Sequence, residues 1–191
     1  MFIDEFRLPP GGTISGHSLS EAELITYVVE GTLEYRDSLG RVGAMLAGEF
    51  RRMSVGRGVR SSETNSSRTD RTRLFRVGLG SSAGLQSDPE QKRFSVAQRR
   101  DGLCLIASAA ARAGSLRILD DALLFSALLR SGQHLVHQLP PGRQAWLHVV
   151  NGEVALREAV LTSGDGVGIS GQHAVSFTAR TESEVLLAEI A

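Results

Sequence analysis

A single cysteine, Cys104, stands in the whole chain, so no disulfide can form within it. That agrees with a reducing compartment. Lysine is almost as scarce: Lys92 is the only one, and arginine carries the rest of the positive charge. Aromatic residues make up 5% and are not interleaved with the basic ones, so stacking on nucleic-acid bases is not expected. The formal net charge is zero, which excludes a global field drawing the protein to polyanions or anionic lipid. No apolar run approaches the ~20 residues that span a bilayer. The opening MFIDEFRLPPGG carries early acids and no long apolar core, unlike a secretory signal. The expectation is a cytoplasmic protein without nucleic-acid or membrane partners.

What is present is strand. With 191 residues, 41% hydrophobic and 22% charged, the chain has the length for one large core or two small ones. LITYVV (Leu24 to Val29) is rich in β-branched and aromatic residues and ends at Glu30-Gly31. Thr32 to Arg36 and Arg41 to Leu46 continue the pattern around the turn Asp37-Ser38-Leu39-Gly40. Met53 to Val55 and Leu74 to Leu79 follow. Between Ser81 and Gln91 the composition shifts to Ser, Gly, Asp and Pro, which marks a linker. Beyond it, strands are expected at Leu103 to Ala107, Ser115 to Leu119, Leu123 to Leu129 and Leu135 to Leu139. Ala107 to Ala113 suits a short helix, and Asp120 to Leu129 suits helix or strand.

The second half echoes the first. Leu8-Pro9-Pro10-Gly11 recurs as Leu139-Pro140-Pro141-Gly142, and Tyr27 to Gly31 as His148 to Gly152. Ala44 to Glu49 recurs as Ala159 to Asp165. Two similar all-β units are the natural reading. The divisions expected are 1–80, a linker at 81–102, and 103–191.

Two pairs of residues carry the chemistry. His17 with Leu19, and Ser61 with Glu63, stand two apart on strand patterns, so each pair shares a face. Only His17 and Glu63 are strong metal donors. Catalytic non-haem iron typically takes two histidines and a carboxylate. Other signals are weaker. Gly166 to Gly171 matches a dinucleotide-binding glycine pattern, but a strand pattern follows it where a helix is needed. His134 and His137 point to opposite faces of one strand, and Cys104 lacks a basic neighbour to activate it. Eight arginines (Arg51, Arg52, Arg57, Arg60, Arg68, Arg71, Arg73, Arg76) read as a solvated surface. A partner-binding face around Arg51, Arg52 and Arg57 is the alternative.

Gly11, five residues, His17-x-Leu19, three residues and Glu23 resemble the first cupin motif, with leucine in place of its second histidine. ELITYVVEGTLEYRDSLG, followed by AGEFRRMSVGRGVRSSE, is similar to the pirin branch of the cupins. The resemblance implies an all-β bicupin, two cupin-type β-barrels in one chain, the first shortened at its N-terminus. Pirin-like proteins usually hold iron through three histidines and a glutamate, and some are flavonol dioxygenases. Carried over, His17 matches the first histidine and Glu63 the glutamate. Leu19 and Ser61 stand for the other two histidines, and Glu23 matches the motif's acidic position outside the usual ligands. The chain looks closer to a bacterial subgroup lacking the full ligand set. The implied function is a small-molecule-binding or regulatory interaction protein with a degenerate metal site, no cofactor, a ligand in the N-terminal barrel and a protein partner. The alternative is a quercetin 2,3-dioxygenase-type enzyme using iron or another divalent metal.

Overall fold

A computed structural model describes residues 1–15, 22–55, 61–80, 88–100, 102–157 and 159–191. The chain divides into two units, Met1–Phe94 with Leu116–Asp120, and Ser95–Ser115 with Asp121–Ala191. Nineteen strands account for nearly all the regular structure of the described residues. The first unit holds β1 (Phe2–Leu8), β2 (Thr13–Ser15), β3 (Ala22–Glu30), β4 (Thr32–Asp37), β5 (Val42–Leu46), β6 (Glu49–Val55), β7 (Ser61–Thr64), β8 (Thr72–Leu79) and β9 (Glu90–Arg93). They form two antiparallel sheets, β1-β8-β3-β6-β9 and β2-β7-β4-β5.

The larger sheet is covered on both faces, which is why β3 and β8 read as unbroken runs rather than alternating ones. Toward the smaller sheet, Val28 and Leu74 pack on Leu8, Ile14, Leu33 and Met45. Leu24 and Met53 pack with Phe2 on that same face. On the other face Tyr27 stacks on Phe50 with ring centroids 4.1 Å apart, and Phe94 meets Phe50 edge-on. Asp37 builds the expected turn: its Oδ1 accepts from the N–H groups of Leu39 and Arg41, each at 2.9 Å.

The second unit holds α1 (Val96–Arg100), β10 (Cys104–Ser108), β12 (Ala122–Leu129), β13 (His134–Gln138), β14 (Gln144–Asn151), β15 (Glu153–Leu156), β16 (Ala159–Thr162), β17 (Gly166–Ile169), β18 (Ala174–Ala179) and β19 (Ser183–Ile190). The intervening β11 (Leu116–Arg117) belongs to the first unit. The strands of the second unit run β10-β12-β19-β14-β17 in one sheet and β13-β18-β15-β16 in the other. Its core joins Leu147, Val149, Val185 and Leu187 of one sheet to Val154, Val175 and Phe177 of the other.

The duplication holds in detail. Gly31 and Gly152 both take positive φ, 80° and 86°, beside matching register shifts in β3 and β14. A Cβ on Gly31 would meet the Arg71 carbonyl at 2.6 Å, so neither close approach nor dihedral tolerates a side chain. The Gly48 N–H bonds to the Val28 carbonyl as the Gly164 N–H does to that of Val149. The Leu-Pro-Pro-Gly echo is different. Leu8 to Gly11 leads into β2, whereas Leu139 to Gly142 follows β13. Gly11 bonds to Asn65 as Gly132 bonds to Ala179, so the true counterpart of Leu8 to Gly11 is Leu129 to Gly132.

Other expectations change too. Of the short helix expected at Ala107 to Ala113 there is only a single 3-10 turn at Arg112–Gly114, broken by Ala113 at positive φ; the rest is the end of β10 and a turn. Within Asp120 to Leu129, residues Ala122–Leu129 form strand β12, in line with the strand expected at Leu123 to Leu129, and pair along their length with β19. In the stretch read as linker, 81–87 and Asp101 lie outside the described residues, while β9 joins β6 as an edge strand. The linker composition, read from Ser81 to Gln91, overlaps the start of β9, whose charged sequence EQKR carries no strand pattern.

Candidate functional site

Strand β7 brings Glu63 into the interior between the two sheets of the first unit. Its register places Glu63 opposite Ile14 on β2 and Tyr35 on β4. The carboxylate is 2% exposed and accepts a hydrogen bond from Arg76 Nη2 at 2.5 Å. Arg76 stands on β8 opposite Thr26 of β3, and Thr26 stands opposite Arg51 of β6. Three adjacent strands thus present Arg76, Thr26 and Arg51 in one row, with Glu63 reaching in from the facing sheet. The Arg51 guanidinium lies 3.6 Å over the Tyr35 ring, and that of Arg76 lies 5.0 Å from the Phe6 ring centroid.

Four of the eight arginines correct the expectation of a solvated basic surface; Arg68 and Arg71 are exposed as expected, and Arg57 and Arg60 lie outside the described residues. Arg51, Arg52, Arg73 and Arg76 are all buried. The physical reason is the double covering of the larger sheet, which leaves β6 and β8 no wet face. Arg52 points away from Arg51 and bonds to the Asp88 carbonyl at 2.7 Å. Arg73 bonds to Glu5, also at 2.7 Å. Among the described residues Arg51 has no such partner: its Nε and Nη2 are buried without a hydrogen bond, as is Nε of Arg76. Burial pushes the Arg51 guanidinium below its ordinary pKa, against the nearby Tyr35, Glu63 and Asp37.

The residues singled out by sequence do not all meet. His17 and Leu19 lie outside the described residues. Ser61 opens β7, half-buried, two residues before Glu63 and on its side of the strand. Glu23 is out of phase with Leu24 and Thr26. Its Oε2 accepts from the Leu119 N–H at 2.7 Å, and Oε1 lies 3.8 Å from Arg52. Desolvation drives its pKa above the ordinary value, against the pull of the Leu119 N–H and Arg52. Glu23 therefore secures the segment 116–120 on the outer face, while Glu63 faces the interior. Among the described residues no three His, Cys, Asp or Glu side chains gather as a metal cluster.

The sequence reading took Arg51 and Arg76 for surface residues and did not single out Thr26. The duplication holds the signal. Thr26 pairs with Arg51 and Arg76, and Leu147 pairs with Val167 and Leu187 in the matching strands. Glu63, opposite Ile14, matches Phe177, opposite Leu135. Leu147, Phe177 and Leu187 are buried in the second core, and Val167 packs against it. One layer of the fold is thus wholly apolar in one unit and charged in the other.

In the second unit, Gly166 and Gly168 sit in β17 against Trp146, where a Cβ on Gly166 would meet the indole at 2.6 Å. They let a strand pass a large ring and do not cradle a phosphate. His134 bonds to Thr178, and His137 to Glu189. Cys104 is half-buried, with desolvation raising its thiol pKa.

Two stacked-sheet units with this strand order define a duplicated cupin. Residues 4–78 match the family model for pirin, and residues 105–190 match that of the quercetinase C-terminal cupin domain. The chain is 35% identical over 189 residues to the quercetin 2,3-dioxygenase of Escherichia coli K12, covering 98% of this chain and 80% of that one. It is 30% identical to a pirin-like protein of Caulobacter vibrioides, over 97% and 80% of the two chains. Among solved structures, the bacterial pirin YhhW of Escherichia coli in complex with nickel(II) superposes with a TM-score of 0.86. That match has 36% identity over 98% of this chain and 80% of the other. The chain belongs to the pirin family. The expectation of a protein without a cofactor is corrected by these findings, since a dioxygenase and a nickel complex point to metal binding. The expectation went astray by counting imidazoles at Leu19 and Ser61 alone. No helix of the described residues is long and apolar enough to cross a membrane.

Proposed function

We propose that this pirin-family chain binds a small molecule inside its first cupin unit, beside a divalent metal held by a reduced set of donors. The observation that carries the reading is the charged layer of Arg51, Glu63 and Arg76, where the second unit keeps a hydrocarbon layer. A buried ion pair contributes little to stability compared with good apolar packing, so its retention argues for a use. Glu63 offers the carboxylate, Ser61 a hydroxyl beside it, and His17 an imidazole. Leu19 has no donor atom, and Arg76 already holds Glu63, so a metal there shares its carboxylate with a guanidinium and binds modestly. When bound, a divalent metal supplies a Lewis-acid centre that polarises an oxygen of the ligand. Arg76 orients Glu63, and the apolar flanks keep water from the layer.

Quercetinase-type oxidation is the second reading, favoured by the 35% identity to a quercetin 2,3-dioxygenase. Titration of chelator-stripped protein with Ni(II) or Fe(II), with oxygen uptake on adding quercetin, tests both. Saturable metal binding that weakens in Glu63→Gln supports the first reading. Metal-dependent oxygen uptake with quercetin adds the second. Folded protein that takes up no metal at all overturns the metal site.

A further inference from the structure

We propose that the first unit recognises a monocarboxylate with an apolar body, and that Arg51 is the residue that binds its carboxylate. This rests on the first unit being the ligand-bearing one, but not on the metal or on quercetin.

Among the described residues, Glu63 is the carboxylate bonded into the row, to Arg76. Asp37 is buried and acts on Arg51 electrostatically, but it makes no hydrogen bond to it: its Oδ1 accepts from the Leu39 and Arg41 N–H groups, and its Oδ2 has no hydrogen bond. Asp4, opposite Arg76 in the pairing of β1 and β8, is exposed.

Donor geometry selects the type of anion. Arg51 is 2% exposed, yet its Nε and Nη2 have no acceptor among the described residues. Leaving buried donors unbonded costs more than a made hydrogen bond returns. Those two nitrogens form one edge of the guanidinium, the edge that takes both oxygens of a carboxylate in parallel. Arg76 presents a further unbonded Nε from the same row. Thr26 stands between the two arginines with its hydroxyl side chain.

The surroundings specify the rest of the ligand. Leu24, Met53 and Phe2 flank the charged row on one side, and Val28, Leu33 and Leu74 on the other. Tyr35 and Phe6 lie under the two guanidiniums and hold them flat by cation–π attraction. A charged head between apolar walls favours an aliphatic or aromatic carboxylic acid over phosphate, sulfate or a polar dicarboxylate.

The test is calorimetric titration of the full chain, stripped of metal by chelator, with benzoate and with its neutral isostere benzamide. Benzoate should bind saturably and benzamide at least roughly 10-fold more weakly, since only the anion pairs with the fork. Arg51→Met, which keeps the length and apolar stem, should weaken benzoate by at least about 10-fold. Equal affinity for both compounds, or no binding of benzoate to the parent, overturns the proposal. So does unchanged affinity in a folded Arg51→Met variant. Should that variant not fold, the comparison of the two compounds on the parent decides. Metal content is measured separately, so failure here leaves the metal site standing.

Discussion

Glu63 and Arg76 meet at 2.5 Å between the two sheets of the first cupin unit, both buried. The pair joins strands of different sheets, so it bridges the core. In the duplicated unit the same two positions are Phe177 and Leu187, and they simply pack. A charged pair in one copy and hydrocarbon in the other separates what the fold requires from what a site requires.

Removing one partner should be costly. Glu63→Gln leaves Arg76 buried without its bonded carboxylate, and loss of about 3–5 kcal/mol of stability is expected. Glu5→Gln, which removes the more exposed carboxylate of the pair with Arg73, should cost less. Urea unfolding of both variants checks the contrast. Equal losses would mean that Glu63 is not in a desolvated pair.

Glu23 should make the protein less stable as pH rises. Its folded pKa is raised above the ordinary 4.5, chiefly by desolvation, with Asp120 adding repulsion and Arg52 and the Leu119 N–H opposing. Below 4.5 both states carry the proton and no penalty applies. Between that value and the raised one, the unfolded chain releases the proton first, so stability falls, then levels off. Glu23→Gln keeps an acceptor for Leu119 and removes this descent. Unfolding measured from pH 4 to about 7.5 should show the variant gaining on the parent with pH. A constant difference would contradict the assignment.

Much of this fold was legible. The apolar runs, the Asp37 to Gly40 turn and the echo of Tyr27 to Gly31 in His148 to Gly152 each correspond to a structural feature. Glu63 was singled out because it stands two residues along a strand pattern from Ser61 and matches the glutamate of the motif this stretch resembles, and the structure places it in the interior. Arg51 and Arg76 read as surface, as an arginine in an amphiphilic run does unless both faces of its sheet are known to be covered. Glu23 was drawn into the site by its match to the acidic position of the first cupin motif, and its place on β3 puts it on the opposite face of the sheet from Thr26. Leu139 to Gly142 shows the opposite failure, a strong sequence echo at a non-equivalent turn.

Adding donors should tighten the metal. Ser61 shares its strand face with Glu63, and Leu19 stands two residues from His17. Leu19→His with Ser61→His supplies two imidazoles, enough for tighter binding of Ni(II) or Fe(II) than in the parent. Each single variant should bind more weakly than the double, and affinity should fall at acid pH as imidazoles protonate. Calorimetric titration of the folded variants measures this. A folded double variant that binds no tighter than the parent would show that positions 19 and 61 do not converge.

The most direct measurement exchanges the charged layer for its counterpart in the second unit: Arg51→Val, Glu63→Phe and Arg76→Leu together. If the layer is kept for ligand binding, the triple variant should be more stable than the parent by about 1–4 kcal/mol in urea unfolding. It should also lose the titratable binding of metal and of benzoate. A variant that keeps the native far-ultraviolet circular dichroism yet is less stable than the parent, or that binds both as the parent does, would contradict the account.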